Sequence, residues 1–162
     1  SRRAVYELYK FLEHESIPID EEGYFYAYKS VRANWMDHHS GKCDNHVGNT
    51  LEMSRNSVDD DANRGCSYGY HVGSLKYASS YGGWNSGSGA HLLICKVDPA
   101  DVVSVPHDCA HQKVRTCKYT VVAEYTGPLP ETTWDSNPAP IDDDELDFDD
   151  EWEDDWDGWL AG

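Results

Sequence analysis

The chain has 162 residues and a formal net charge of −17, which is unevenly distributed. All 13 Lys and Arg lie at or before Lys118, whereas 14 of the 30 Asp and Glu lie in residues 131–162. Residues 1–130 hold 13 basic and 16 acidic side chains, a net charge of −3, so an acidic tail follows a nearly balanced body. We therefore expect one folded domain at 1–130 and a flexible, disordered tail at 131–162. No apolar run approaches the ~20 residues that a membrane-spanning helix needs.

Residues 1–15 have the periodicity of an amphipathic helix. Their apolar side chains recur at helical spacing and share one face: Val5, Leu8, Phe11 and Leu12. Because the charged side chains lie mostly on the other faces, we expect this apolar stripe to face the protein core.

Residues 24–31 follow a turn and predict a strand, since aromatic and β-branched residues favour strands. Side chains alternate along a strand, which places Tyr24, Tyr26 and Tyr28 on one face and Phe25, Ala27 and Lys29 on the other. We interpret the tyrosine face as core packing beneath the first helix, because aromatic side chains dominate core burial.

Residues 66–106 are the stretch around which the fold is expected to be organised. They predict, in order, a strand, a turn, a short helix, a glycine-rich loop and a second, largely buried strand. Ser74 is placed to cap the helix, which carries Tyr77 and Tyr81. Shorter extended pieces are expected at 49–53, 101–105 and 117–125. The fold class predicted is α+β, an N-terminal helix with a mixed or antiparallel sheet.

His71 allows two interpretations. Between Tyr70 and Val72 on a buried strand, it fits a core histidine whose polar atoms are satisfied within the fold. As a functional group it would titrate near neutrality and could bind a nucleotide hydroxyl or phosphate. A cleft beside it would favour the second interpretation.

Two clusters of histidine and cysteine raise the question of a metal. Residues 38–46 match no known spacing of paired ligands. A second set spans eleven residues and contains the usual zinc donors: His107, Cys109, His111 and Cys117. Its spacing is also unfamiliar, so we expect a loop with incidental histidines and cysteines, and no cofactor.

The tail combines twelve acids in residues 142–157 with spaced aromatic side chains. Trp152, Trp156 and Trp159 recur at i, i+4 and i+7, which would place them on one face of a helix. The tail is then either a solvating polyanion or a short motif that binds a basic protein partner and folds on binding. Composition leaves both alternatives open.

Five stretches, in the same order, resemble the C-terminal region of the phage rIIB (rapid-lysis B) family. Together they cover most of residues 8–125: 22–35 (EGYFYAYKSVRANW), 41–53 (GKCDNHVGNTLEM), 66–82 (CSYGYHVGSLKYASSYG), 96–108 (KVDPADVVSVPHD) and 114–122 (VRTCKYTVV). Five ordered blocks are far more specific than any single motif. The resemblance leaves out the longer N-terminal region of the family, with its helix-turn-helix-like segment, and the acidic tail.

The resemblance implies a function in lysis timing and in protecting an infecting phage from prophage-encoded exclusion. It implies a protein partner of the rIIA type, or a basic host protein, with no direct contact to nucleic acid. The expected location is the host cytoplasm, where the partner could hold the protein at the inner membrane. The family offers no catalytic residues to carry over, so we expect a non-enzymatic protein.

A more distant resemblance is to the ADP-ribosyltransferase fold. It implies a dinucleotide cleft in which Lys29 corresponds to the His or Arg that an early strand supplies for the dinucleotide. Tyr77 and Tyr81 correspond to the pair of stacking rings. The glutamate that this chemistry needs has no evident counterpart, since Glu124 is the only acid on a candidate late strand. The alternative function is therefore a nucleotide-binding or degenerate transferase-like module around His71. A nucleic-acid binder is disfavoured by the net acidity.

Overall fold

The computed structural model describes residues 2–65, 67–107 and 112–127. The two α-helices are α1 (Arg2–His14) and α2 (Leu75–Ser80). Seven strands follow the chain as β1 (Phe25–Val31), β2 (Thr50–Glu52), β3 (Tyr70–Gly73), β4 (His91–Val97), β5 (Val102–Ser104), β6 (Lys113–Thr116) and β7 (Lys118–Glu124). The predicted tail at 131–162 lies outside the described residues, and so does the domain boundary at 130. Both stay predictions.

The seven strands form one sheet in the order β2-β7-β4-β1-β3-β6-β5. Every described pair is antiparallel, which confirms the predicted α+β class. β1 lies at the centre, between β3 and β4 of the 66–106 stretch, and pairs with β4 along all seven of its residues. The strands β3 and β4 are thus joined through β1 rather than to each other.

The helix α1 closes one side of the core, as its periodicity predicted. Leu8, Phe11 and Leu12 are buried in a cluster with the inward side chains of the sheet. Val5, however, is 52% exposed, and Ala4 takes the buried position instead. The prediction for Val5 was wrong because a residue at the margin of an apolar stripe can fit the helical spacing and still face the solvent.

The alternation predicted for β1 is correct, but the assignment of its faces was wrong. Phe25 and Ala27 are fully buried in the cluster that contains α1, whereas Tyr26 and Tyr28 are only partly buried. Tyr26 instead donates a hydrogen bond to Asp20 (2.9 Å), and Tyr28 contacts Tyr125 edge-on. Tyrosine hydroxyls need a polar partner, so the tyrosine face lies where such partners are available.

Local signals placed the start of α2 correctly, but the helix ends at Ser80, and Tyr81 follows it as the C-cap with an extended backbone instead of lying within the helix. The Ser74 side chain accepts a hydrogen bond from the backbone N–H of Tyr77 (3.1 Å), which is the predicted N-cap. Gly73, just before the cap, lies within reach of the Tyr77 ring and of the Gln112 carbonyl, where a Cβ would collide with both. The turn therefore requires glycine for close packing.

One strand was missed. The segment before Cys117 was expected to be loop, yet Lys113–Thr116 forms β6 and pairs with both β3 and β5. All four of its residues are buried, including the charged Lys113 and Arg115. Charged side chains in a short run do not signal a buried strand, because they are almost never fully buried unless paired.

Both edges of the sheet are short. At one edge, the Arg55 guanidinium donates to the backbone carbonyls of Ala100 and Val102, the latter at 3.2 Å, and so covers β5. At the other edge β2 has three residues, of which Thr50 and Glu52 are exposed.

The packing of α1 gives a direct test with a matched control on the same helix. Phe11→Ala should lower the free energy of unfolding by about 3–5 kcal/mol, because it leaves a cavity in the main core. Val5→Ala should change it by less than about 0.5 kcal/mol, as expected for an exposed position. Urea denaturation measures both. Equal losses for the two variants would contradict the observed orientation of the helix.

Candidate functional site

The central strands β1 and β3 separate almost as soon as they meet. Only Tyr28 and Gly73 are paired in register between them. Beyond that point the Lys29 ammonium donates to the backbone carbonyl of His71 (2.8 Å), a group without a ladder partner from β1 there. Lys29 thus satisfies a carbonyl at the place where the sheet opens.

Lys29 is enclosed at this junction. Its ammonium lies 5.8 Å from the centre of the Tyr119 ring, and the Tyr119 hydroxyl is in turn hydrogen-bonded to the buried Asn45. Burial lowers the pKa of Lys29 from its ordinary value. The predicted contact of Lys29 with a ligand therefore competes with an internal hydrogen bond and a ring contact.

The His71 side chain is committed to Arg115 on the neighbouring strand. The two residues face each other across the β3–β6 ladder, and Arg115 Nε donates to His71 Nε2 (3.1 Å). An imidazole nitrogen that accepts a hydrogen bond is unprotonated, so the neutral ring carries its hydrogen on Nδ1. Burial, helped by the positive charges of Lys29, Arg115 and Lys113, lowers the pKa of His71 to about 3.

Arg115 is the largest fully buried side chain of the described residues. Its two terminal nitrogens donate to the backbone carbonyls of Asp59 (2.8 Å), Asp61 (3.2 Å) and Arg64. The planar fork of a guanidinium can satisfy several oxygens at once, which a lysine cannot do. The acidic loop 59–64 is therefore folded around a cation supplied by the sheet.

Tyr77 and Tyr81 form a separate part of the predicted site. Their rings stack with centres 6.2 Å apart and planes inclined by 20°. Lys113 lies over the Tyr77 ring at 5.6 Å, and His38 meets Tyr81 edge-on at 5.6 Å. Tyr81 remains 47% exposed.

The structure thus groups the four predicted site residues in two pairs, Lys29 with His71 and Tyr77 with Tyr81. Lys113 is the link, because it lies over Tyr77 and its charge acts on His71. An open depression of about 320 Å³ lies elsewhere, lined by Arg3 and residues 59–64, and it includes none of the four. Sequence reasoning missed Lys113 and Arg115 as members of this cluster, and the only signal for them was their alternation along a short run.

The weak metal candidates are only partly described. His107 Nε2 lies 3.2 Å from a carboxylate oxygen of Glu7, and the buried Cys117 thiol faces Asp101. Cys109 and His111 lie outside the described residues. Within the part of the chain that is described, no three histidine, cysteine or acidic side chains form a group that could hold a metal ion. The tryptophans of the predicted partner motif also fall outside it.

Arg115 should be irreplaceable even by another cation. We expect Arg115→Lys to lower the free energy of unfolding by about 3 kcal/mol or more, since a lysine leaves buried carbonyls unsatisfied. Arg64→Lys is the control: its side chain is 68% exposed and its ion pairs with Asp59 and Asp61 are worth under about 1 kcal/mol. Denaturant titration of both variants makes the comparison. A loss at position 115 no larger than at 64 would contradict the role assigned to the guanidinium.

His71 should make the domain sensitive to acid. The pKa of His71 is about 3 in the folded state, against an ordinary value of about 6.5, so the unfolded chain binds one more proton at intermediate pH. The contribution of His71 to the free energy of unfolding is therefore fully present above pH ~6.5 and is lost as the pH falls toward ~3. His71→Gln, whose amide oxygen can still accept from Arg115, should reduce the slope of stability against pH by up to about 1.4 kcal/mol per pH unit. Parallel slopes for parent and variant between pH ~4 and ~6 would exclude this titration.

Comparison with known proteins bears on identity. Residues 1–133 match the family model described as bacteriophage T4 protein rIIB. The protein rIIB of Enterobacteria phage T4 is 44% identical over 126 residues, which make up 78% of this chain and 39% of that relative. The chain thus spans about two fifths of the relative's length. No solved structure matches, so the likeness to the ADP-ribosyltransferase fold stays a prediction. The chain belongs to the rIIB family of bacteriophage proteins.

Proposed function

We propose that this domain is a non-enzymatic phage accessory module of the rIIB type that acts by binding another protein. Its task is lysis control or protection of the infecting phage from prophage exclusion or another host defence. The partner is a phage protein of the rIIA type or a basic host protein. The complex forms in the host cytoplasm, and the partner can bring it to the inner membrane. The folded unit is residues 1–130, with 131–162 as an appended segment.

One observation carries the proposal: the ionisable side chains of the candidate site are used inside the fold. Lys29 bonds to a carbonyl, His71 to Arg115, and Arg115 to three further carbonyls. A general acid or base needs a pKa near the operating pH, and that of His71 is about 3. These groups hold strands and a loop together, which leaves recognition to the surface.

Membership of the rIIB family supports the phage context of the proposal. The family assignment supplies no catalytic residues, in line with a binding protein. None of the described helices has the length and apolar character to cross a membrane.

The alternative function, a nucleotide-binding module, is favoured by one specific feature. The exposed Tyr81 ring stacks on Tyr77, with Lys113 on the Tyr77 ring, which is an arrangement able to accept a flat aromatic base near a positive charge.

Thermal unfolding with and without nicotinamide and adenine dinucleotides separates the two functions. A ligand at a hundredfold excess over its Kd stabilises by about 2.7 kcal/mol, a shift of several degrees for a domain of this size. We expect no such shift, together with measurable binding of a purified rIIA-type protein by calorimetry. A shift that Tyr81→Ala removes and Tyr68→Ala retains would establish the nucleotide module instead. Tyr68 is the control because it is exposed (65%) and lies outside the cluster.

A further inference from the structure

The acidic side chains of the folded part are absent from two long stretches of the sequence. Residues 23–36 and 62–97 contain no Asp or Glu, although they hold Lys and Arg. The strands β1, β3 and β4 and the helix α2 are all drawn from these stretches. Carboxylates are thus confined to other parts of the body and to the tail.

The fold brings parts of the two stretches, together with His38 beyond Asp37, onto one surface. We call this surface the acid-free face and define it as residues 32–36 and 38, α2 and residues 81–90. His38 meets the Tyr81 ring at 5.6 Å and lies directly against Gly82, where a Cβ would overlap its ring. Ala33 accepts a hydrogen bond from His91 Nε2 at 3.1 Å, which fixes the other end of the turn beside the glycine-rich loop.

The acid-free face offers positive charge and an aromatic ring together. Arg32 and Lys76 are exposed on it, and so is Tyr81. Two carboxylates lie at its border, Asp37 and Glu124. Glu124 lies 2.7 Å from Nδ1 of His91. Asp37 accepts hydrogen bonds from the backbone N–H groups of residues 40, 42 and 43. Those bonds hold the pKa of Asp37 well below its usual range although its burial acts in the opposite sense.

The chain leaves the described body beside this face. Tyr125, two residues before Gly127, packs edge-on against Tyr28 (5.7 Å) and contacts the Trp84 ring at 6.5 Å. Trp84 belongs to the loop that borders α2. The next 35 residues carry 14 acids and no base, and the first tryptophan of the 152–159 set follows Gly127 by 25 residues. At about 3.3 Å per residue, that length reaches any point of a domain of this size.

We propose that the acidic tail, residues 131–162, binds the acid-free face of its own domain. The tryptophans pack on the exposed Tyr81 ring, and the carboxylates lie toward Arg32 and Lys76. The alternative surface, the outer side of α1, fits less well because Glu7 and Glu13 lie among its cations and Glu7 already pairs with Arg3. A tether of this length gives an effective concentration on the order of mM, so weak intrinsic affinity suffices. In the bound state the tail covers the acid-free face.

Zero-length carbodiimide coupling of the full chain tests the contact, because it joins a carboxylate to an amine only where they touch. We expect tail peptides linked to Lys76, with far lower yield at Lys10 on α1 and at Lys118 on β7. The yield at Lys76 should not change on dilution and should fall at high salt, which screens exposed charges. Crosslinking of a mixture of isotope-labelled and unlabelled protein should give links within single chains. Links chiefly to Lys10, or chiefly between labelled and unlabelled chains, would overturn the proposal.

Amide hydrogen exchange gives an independent measurement on the full chain. The triple variant Trp152→Ala, Trp156→Ala, Trp159→Ala should exchange about tenfold faster at α2 and at 82–90, where a docked tail gives protection, and at the parent's rate in α1. These substitutions lie outside the described body, so they test docking without touching its packing. Arg32→Glu should produce the same loss, whereas Lys10→Glu should not. Unchanged exchange at α2 in the triple variant would show that the tail does not occupy this face.

Discussion

The guanidinium of Arg115 is the interaction on which the described body depends. A cation with no exposed surface costs several kcal/mol unless hydrogen bonds replace its water. Here those bonds come from carbonyls of a loop about fifty residues earlier in the chain and from a neutral imidazole on the next strand. The register of β3 against β6, the closure of the loop and the protonation state of His71 are consequently fixed together. A change in any one of them leaves a buried charge without its partners.

The same dependence determines the electrostatics of the most polar part of the sheet. Burial, helped by the positive charges of Lys29, Arg115 and Lys113, lowers the pKa of His71 and keeps the ring neutral. Positive charge is thus concentrated between the two halves of the sheet, where β1 and β3 share a single register pair. Where these strands separate, the backbone ladder is replaced by one side-chain hydrogen bond, which the Lys29 ammonium donates to the His71 carbonyl.

The sequence predicted what local rules determine. The helix α1, the Ser74 cap and the extents of β1 and β4 follow from periodicity and from a capping side chain. Alternation along β1 defines two faces, those of Phe25 and Tyr26, without saying which of them lies inward. The partner element decides this, and it also decides whether Ala4 or Val5 of α1 is buried. The burial of Arg115 was beyond prediction, since its partners are carbonyls of a distant loop. The pairing of Lys29 with a β3 carbonyl likewise depends on where two strands separate.

The Arg55 side chain at the β5 edge affects whether the sheet can pair with a strand of another chain. An uncovered edge strand is a template on which a strand of another chain can add. Arg55 occupies one carbonyl of β5, that of Val102, and the carbonyl of Ala100 just before the strand, while the opposite edge of the described sheet presents the three residues of β2. The described part of the sheet therefore offers few free backbone groups to which another strand could be added.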